Sequence, residues 1–133
     1  MREILFRGKR ECNGEWVLGG FHSRLGRAFI VGCSKSFRFD ACEVIPTTVG
    51  QYTGLTDKNG AKIFEGDILK EKDVVHNGEV QIDGKMFCVD MKKGCWVVIE
   101  KGGDWDFLHT NARTCEVVGN IHDNPELPEG GAA

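Results

Sequence analysis

Several features that mark common protein classes are scarce or missing in this sequence. The 133 residues include three prolines and no apolar run near the roughly 18 residues that a membrane-spanning helix needs. The first residues, Met1–Arg7, lack the long apolar core of a signal peptide. No long window keeps a helical period. We therefore expect a cytoplasmic protein with little helix and no membrane contact.

The sequence motifs of common enzyme classes are also missing. There is no phosphate loop, no Gly-x-Ser-x-Gly elbow, no His-Glu-x-x-His pair and no three-glycine dinucleotide fingerprint. We therefore expect a binding or assembly module that is not an enzyme and needs no cofactor.

Cysteines are present, but their spacing does not favour a metal site. Neighbouring cysteines are 21, 9, 46, 7 and 20 positions apart, so no Cys-x-x-Cys pair exists. We interpret them as reduced, small, buried apolar residues and expect no metal. A site assembled from distant Cys and His side chains is the alternative. The six residues are Cys12, Cys33, Cys42, Cys88, Cys95 and Cys115.

Glycine is abundant, and its positions predict short strands joined by tight turns. In the central stretch 48–69, Gly60 closes a turn, and Gly66-Asp67 indicates a bulge or a sharp bend. Such spacing predicts an all-β protein that closes into a small barrel, because an open sheet would expose apolar edges. Further hairpin signals, in which both turn positions accept positive φ, are Asn13-Gly14, Asn77-Gly78 and Asp83-Gly84. The last two predict that the strands at 63–70, 79–82 and 86–91 are neighbours in a meander.

Five blocks of the sequence resemble one protein family. They are Glu-Ile-Leu-Phe-Arg-Gly-Lys-Arg at 3–10, Gly-Glu-Trp-Val at 14–17, Val-Gly-Gln-Tyr-Thr-Gly-Leu-Thr-Asp-Lys-Asn-Gly at 49–60, Ile-Phe-Glu-Gly-Asp-Ile at 63–68 and Gly-Asn-Ile-His-Asp-Asn-Pro-Glu-Leu at 119–127. The blocks stand in order and span nearly the whole chain. The sequence therefore resembles the YopX family of phage and prophage proteins.

The resemblance implies an all-β architecture whose C-terminal part is an SH3-type barrel. We accordingly expect an N-terminal β-hairpin and β extension at 1–46, the barrel at 47–127 and a disordered tail at 128–133. The resemblance also implies a phage or prophage origin, and hence the cytoplasm of a bacterial host. It supplies no activity, because none is established for the family.

Charge is divided unevenly along the chain. Residues 1–40 carry eight Lys and Arg against four Asp and Glu, a net +4, whereas 41–133 carry nine against sixteen, a net −7. The basic residues could contact phosphate, or they could face the acidic half of the same molecule or of a neighbour, which we favour. The candidate basic face comprises Arg7, Lys9, Arg10, Arg24 and Arg27.

Two other groups of residues are candidates for function. His122-Asp123, beside Glu65 and Asp67, could supply a histidine base oriented by a carboxylate. The simpler interpretation is that Asp123 and Asn124 end the last strand by bonding local backbone groups, while Pro125 prevents its continuation. Asp67 would then cap a turn. The aromatic residues Tyr52, Phe64, Trp96 and Trp105 could form a groove for a peptide, although core packing is the default for such rings.

Three hypotheses follow for the function. The first is a phage accessory protein that binds another protein or copies of itself, as a homo-oligomer in which opposite charges meet. The second is a nucleic-acid-binding protein that uses the basic N-terminal residues. The third is a small hydrolase built on His122 and Asp67.

Overall fold

The computed structural model describes residues 3–32, 41–71, 74–76, 79–81 and 85–126. The chain divides into two compact units, residues 1–54 and 55–133. The boundary predicted after residue 46 lies eight residues before this division, and the predicted tail at 128–133 lies outside the described residues.

The first unit is an antiparallel sheet. Its strand order is β4-β3-β2-β1-β5. The hairpin that Asn13-Gly14 predicted is confirmed, because β1 pairs with β2 from Phe6↔Gly19 to Lys9↔Trp16. The strands are β1 (Phe6–Lys9), β2 (Trp16–Arg24), β3 (Arg27–Val31), β4 (Ala41–Val44) and β5 (Gly50–Thr56), with a 3-10 turn at Pro46–Thr48.

The sheet of the first unit curls, so that the end of β1 also reaches β4. Arg10 forms a bridge with Val44, and the N–H of Ile45 donates to the Lys9 carbonyl at 2.9 Å. Gly8 permits this approach, because a Cβ at that position would lie 2.7 Å from Val44 Cγ2. The curled sheet encloses a small core of Ala28, Ile30 and Val44, against which Phe6, Val17 and Val49 pack.

The second unit is built on a five-stranded antiparallel sheet with the order β12-β11-β10-β7-β13. A short helix α1 (Leu108–Asn111) and a 3-10 turn (Ala112–Thr114) follow β12. The fully buried Leu108 and Cys115 join Ile63, Leu69 and Val98 in the core. The strands are β6 (Lys62–Phe64), β7 (Asp67–Glu71), β8 (Val74–His76), β9 (Glu79–Gln81), β10 (Met86–Lys92), β11 (Cys95–Ile99), β12 (Trp105–Phe107) and β13 (Cys115–Asn120).

The sharp bend predicted at Gly66-Asp67 is the turn between β6 and β7. Gly66 has φ 90°, a conformation that favours glycine. Its N–H donates to the Val89 carbonyl and its own carbonyl accepts from the Ile121 N–H, both at 2.9 Å. The turn is therefore fixed to the chain on two sides, at β10 and just after β13.

The all-β prediction is confirmed. The closed barrel and the meander, which were the finer predictions, have different outcomes. The described strands form two larger sheets and a hairpin, and no closed barrel is found among them, so the SH3-type barrel stays a prediction. The sequence predicted that 79–82 would lie between 63–70 and 86–91 in a meander. That prediction is wrong, because β9 pairs with β8 and β10 pairs directly with β7.

Among the residues that the structure describes, the helical segments fall short of the length and hydropathy that a membrane-spanning helix requires.

Candidate functional site

Basic side chains gather on one side of the first unit. Directly paired residues of antiparallel strands point to the same side of a sheet, and alternate residues along a strand share a side. Arg7 pairs with Leu18, Lys9 with Trp16, and Arg24 with Arg27. This side is opposite to the core, which Gly8, Ile30 and Val44 face. We call it the outer face; it carries Arg7, Lys9, Trp16, Leu18, His22, Arg24, Arg27, Phe29 and Glu43.

Arg10 does not join the other four residues of the predicted basic face. It follows Lys9 directly, and so strand alternation points it to the other side of the sheet. Its Nη1 lies 3.8 Å from Glu15 Oε2. The structure therefore brings together Arg7, Lys9, Arg24 and Arg27 and leaves Arg10 apart.

Aromatic rings alternate with these cations on the outer face. The guanidinium carbon of Arg7 lies 4.8 Å from the ring centroid of Trp16, and that of Arg27 lies 5.6 Å from the ring of Phe29. The His22 ring lies 6.4 Å from that of Phe29. Arginine over an aromatic face is attracted by the ring quadrupole. Both guanidinium groups are thus held against the sheet surface.

One carboxylate offsets part of this positive charge. Arg27 donates two hydrogen bonds to Glu43, from Nε at 2.8 Å and from Nη2 at 2.7 Å. The hydrogen bond from Arg27 lowers the pKa of Glu43, so the acid stays ionised at neutral pH. The outer face therefore carries four Lys and Arg side chains against one acid.

The turn between β2 and β3 holds an exposed leucine in a backbone conformation that leucine rarely adopts. We call Arg24-Leu25-Gly26-Arg27 the hairpin tip. Leu25 has φ 51° and Gly26 has φ 76°, the positive pair typical of a type I′ turn, where Asn-Gly is preferred. A leucine in this conformation costs about 1 kcal/mol because Cβ crowds the following carbonyl. The side chain is 90% exposed.

The residues of the proposed histidine site meet at the turn around Gly66. His122 lies beside the Gly66 turn, since a Cβ built at Gly66 would be 3.6 Å from His122 Nε2. Asp67 is only 1% exposed, and its Oδ2 accepts a hydrogen bond from the Phe64 N–H at 2.7 Å. This carboxylate is therefore almost fully enclosed by protein, and the catalytic role stays a prediction. Glu65 is half-buried in the same turn.

Of the predicted aromatic groove, only Trp105 is well exposed. Tyr52 is 9% exposed in the first unit, and Trp96 packs against the core of the second. Trp105, on the edge strand β12, is 47% exposed. Lys92 Nζ lies 5.4 Å from the ring centroid of Trp105, and the Phe107 ring meets it edge-on at 5.7 Å. Phe64, the fourth predicted ring, is buried at 4% exposure, so Trp105 is the one predicted ring that is well exposed.

A cavity of about 300 Å³ lies beside Trp105 in the second unit. Four acids and one lysine line it, and Lys85 Nζ lies 3.4 Å from Glu100 Oε1. The hydrogen bond from Asn111 lowers the pKa of Asp106, which therefore stays charged. The cavity is lined by Glu71, Lys85, Phe87, Val98, Glu100, Asp104, Trp105, Asp106 and Asn111.

Comparison with known proteins gives the family and the fold. Residues 9–129 match the family described as "YopX protein". The chain belongs to the YopX family. A crystal structure of protein EF1440 from Enterococcus faecalis is similar to this YopX chain, with 22% identity, a TM-score of 0.57, and coverage of 96% of this chain and 99% of the other. At that identity the likeness concerns the fold alone. No protein with a curated description matches the sequence.

Two structural residues of this YopX chain were missed by the sequence analysis. Asp57 is 6% exposed and accepts from the N–H groups of Asn59 and Ala61 in its own turn and from that of Val117 in β13. The Asp-x-Asn-Gly pattern signals the turn, but nothing local signals the contact with Val117.

Asn120 ends β13, a role that the sequence analysis gave to Asp123 and Asn124. Asn120 Oδ1 accepts from the N–H groups of His122 and Asp123, at 3.0 and 2.9 Å. The exposed Asp123 accepts from the Asn120 side chain at 3.2 Å. The Asn124 side chain accepts from the Asn120 N–H at 3.4 Å. The placement of His122 and Asp123 is therefore accounted for by the end of the strand.

The cysteines of this YopX chain differ in their surroundings. Burial raises the pKa of Cys88 and of Cys115 to about 11, so both stay protonated. The prediction that the cysteines are buried apolar residues is correct for Cys115. It is wrong for Cys12 and Cys95, which are exposed. Cys33 lies outside the described residues. Within the described ranges, no group of three His, Cys, Asp or Glu residues is arranged to hold a metal.

Proposed function

We propose that this YopX-family chain is a phage or prophage accessory protein that binds single-stranded nucleic acid along the outer face of its first unit. It acts by binding rather than catalysis, in the cytoplasm of a bacterial host. The observation that carries the proposal is the placement of Arg7, Lys9, Arg24 and Arg27 on one sheet face, interleaved with Trp16 and Phe29.

The spacing of the cations suits a polymer of phosphates. Leu18, opposite Arg7, and Arg24 are six positions apart on β2, which corresponds to about 20 Å at the rise of a strand. That distance covers several nucleotides of an extended strand. Proteins that bind single strands combine such a basic track with flat groups on which bases stack.

The stacked arginines favour a single strand over a duplex. The guanidinium carbons of Arg7 and Arg27 lie 4.8 and 5.6 Å from aromatic ring centroids, and unstacked bases bind to aromatic rings and guanidinium planes. Bases of a duplex are already stacked on each other and cannot use that surface. A single strand can place its bases there and its phosphates beside the N–H donors.

Salt dependence tests the proposal. With four cations and one acid among the described residues of the face, we expect a slope of log K against log salt of about −2, from a net of three positive charges at about 0.7 each. R24Q should weaken binding and make the slope shallower by about 0.7. E43Q should do the opposite, because it releases Arg27 from its ion pair. Fluorescence polarisation of a labelled 20-nucleotide dT strand measures both effects.

R10Q is the matched control, since it removes one charge from the same unit but not from the outer face. It should leave the slope unchanged. Equal effects of R10Q and R24Q, or an absence of binding by the unaltered protein at low salt, would contradict the proposal. A loss of affinity in E43Q would also count against it, since more positive charge must help a phosphate-binding face.

A second candidate function is self-association through opposite charges. Residues 1–54 carry eight Lys and Arg against five acids, a net +3, and residues 55–133 carry nine against fifteen, a net −6. The acidic cavity beside Trp105 gives the second unit a site for cationic side chains of another copy. Such docking would make a homo-oligomer and would compete with nucleic acid for the outer face.

Self-association predicts a solution mass that depends on salt. We expect a mass above that of the monomer at low ionic strength, and a return to the monomer at high ionic strength as the charges are screened. Light scattering after gel filtration measures it. Replacing Asp104 by asparagine should shift the equilibrium toward the monomer. A monomer at low salt and high protein concentration would exclude this candidate.

A further inference from the structure

We infer that the hairpin tip is a wedge, in which Leu25 packs against an unstacked base of the bound strand while Arg24 and Arg27 hold the phosphates on either side. The inference rests on the proposed function and specifies where on the outer face the bases are contacted. It assigns the tip a ligand class: a nucleotide base within a single strand.

Two features of the hairpin tip oppose the stability of the isolated protein. Leu25 adopts a positive φ with its side chain in solvent, although asparagine or glycine would satisfy the turn without strain. Arg24 stands directly opposite Arg27, and like charges in that position repel. A strained backbone and a pair of like charges that occur together in one exposed turn indicate a functional site.

A second turn in the same chain shows that leucine is not demanded by the geometry. Lys93-Gly94, between β10 and β11, has φ values of 51° and 80°, close to those of Leu25-Gly26. There the first position holds a lysine, which keeps its charged end in water. The backbone therefore accepts a polar residue, and the leucine at position 25 needs another explanation.

The end of the hairpin is open on both sides. All four residues from Phe21 to Arg24 are exposed, although neighbouring residues of a strand point to opposite faces. Phe21 and Leu25 add apolar surface, at 42% and 90% exposure. An entering base would therefore meet an apolar side chain flanked by two cations.

An anionic lipid surface is the competing ligand, and the outer face argues against it. A planar bilayer that contacts Leu25 at the end of the hairpin would meet the sheet about 20 Å away from Arg7. One leucine also supplies little of the apolar area that anchors a protein at a membrane. A strand of nucleotides contacts the tip and the rest of the face together.

Leu25→Asn removes the apolar side chain of the hairpin tip without changing any charge. It should raise the melting temperature by about 3 °C, because asparagine accepts the positive φ. It should weaken binding to the dT strand about tenfold, because the contact between Leu25 and a base is lost. Binding to an abasic strand of the same length should not change, and neither should the salt slope, because no charge is altered.

K93N is the matched control. It relieves the same turn conformation and should raise the melting temperature without changing affinity for the dT strand. The wedge is overturned if L25N binds the dT strand like the unaltered protein, or if it weakens binding to dT and abasic strands equally. It is also overturned if L25N abolishes binding to phosphatidylserine vesicles and spares the oligonucleotide.

Failure of the wedge and failure of the proposed function give different results. If the unaltered protein binds dT with a salt slope and L25N binds equally well, only the wedge is wrong. If the unaltered protein binds neither the dT strand nor the abasic strand at low salt, the proposed function is wrong, and the wedge is wrong with it.

Discussion

Replacing Gly19 by alanine should destabilise the first unit by about 3 kcal/mol, although the change adds a single methyl group. A Cβ at this position would overlap the backbone carbonyl oxygen of Val31 and would lie 3.1 Å from Ile30 Cγ2. Val31 is held in β3 by its pairing with Gly20 on one side and Ala41 on the other. Neither neighbouring strand leaves the carbonyl room to move.

The neighbouring glycine provides the control for Gly19. A Cβ at Gly20 would lie 3.0 Å from Val31 Cγ2, a side-chain atom that rotation can move. Gly20→Ala should therefore cost about 1 kcal/mol or less. Urea unfolding of both variants measures the difference. Equal costs for the two substitutions would show that the approach of β2 to the Val31 carbonyl is not as close as the structure has it.

The first unit shows how far local patterns lead. Arg7 and Lys9 are two positions apart, so period-two alternation places them on one face once β1 is recognised. Arg24 and Arg27 join them only through the β2–β3 register, which depends on the turn at Leu25-Gly26. Leucine is not a turn-forming residue, so the residue pattern does not predict a tight turn there. The sequence therefore identifies the basic residues but not the register that places Arg24 and Arg27 on the same face as Arg7 and Lys9.

The second unit shows what local patterns cannot supply. The turn at 57–60 and the bend at Gly66 follow from their residues, because aspartate, asparagine and glycine favour such turns. The position of β7 between β10 and β13 joins segments far apart in the sequence. Pairing of that kind depends on which apolar faces fit together, and hairpin signals do not encode it.

Asp57 forms hydrogen bonds both within its own turn and to the distant strand β13. It ends the predicted turn and also reaches Val117, sixty positions away, with Oδ2 at 2.9 Å from the Val117 nitrogen. The contact lies just before the register shift between Val117 and Gly119 in β13. The carboxylate thus provides an acceptor for a β13 N–H group where the strand is irregular.

Asp57→Ala should destabilise the second unit by about 3 kcal/mol, because it removes three hydrogen bonds, from the N–H groups of Asn59, Ala61 and Val117, at about 1 kcal/mol each. Asp57→Asn keeps the shape but turns one acceptor into a donor, and it should cost nearly as much. Asp90→Asn removes an exposed carboxylate of the same unit and should cost less than about 0.5 kcal/mol. Urea unfolding at neutral pH ranks the three variants.

The cost of Asp57→Asn should also depend on pH, and its direction follows from the pKa. Burial raises the pKa of Asp57, but hydrogen bonds from Val117, Ala61 and other N–H groups outweigh it, and the pKa lies below its ordinary value. The carboxylate therefore stabilises the fold fully above the unfolded pKa of about 3.9. This contribution is lost as the pH falls through the lower folded pKa, because protonation then favours the unfolded chain. The difference in free energy of unfolding between the unaltered protein and D57N should therefore shrink from pH 5 to pH 3. A difference that stays constant would mean that the charge of Asp57 does not stabilise this unit.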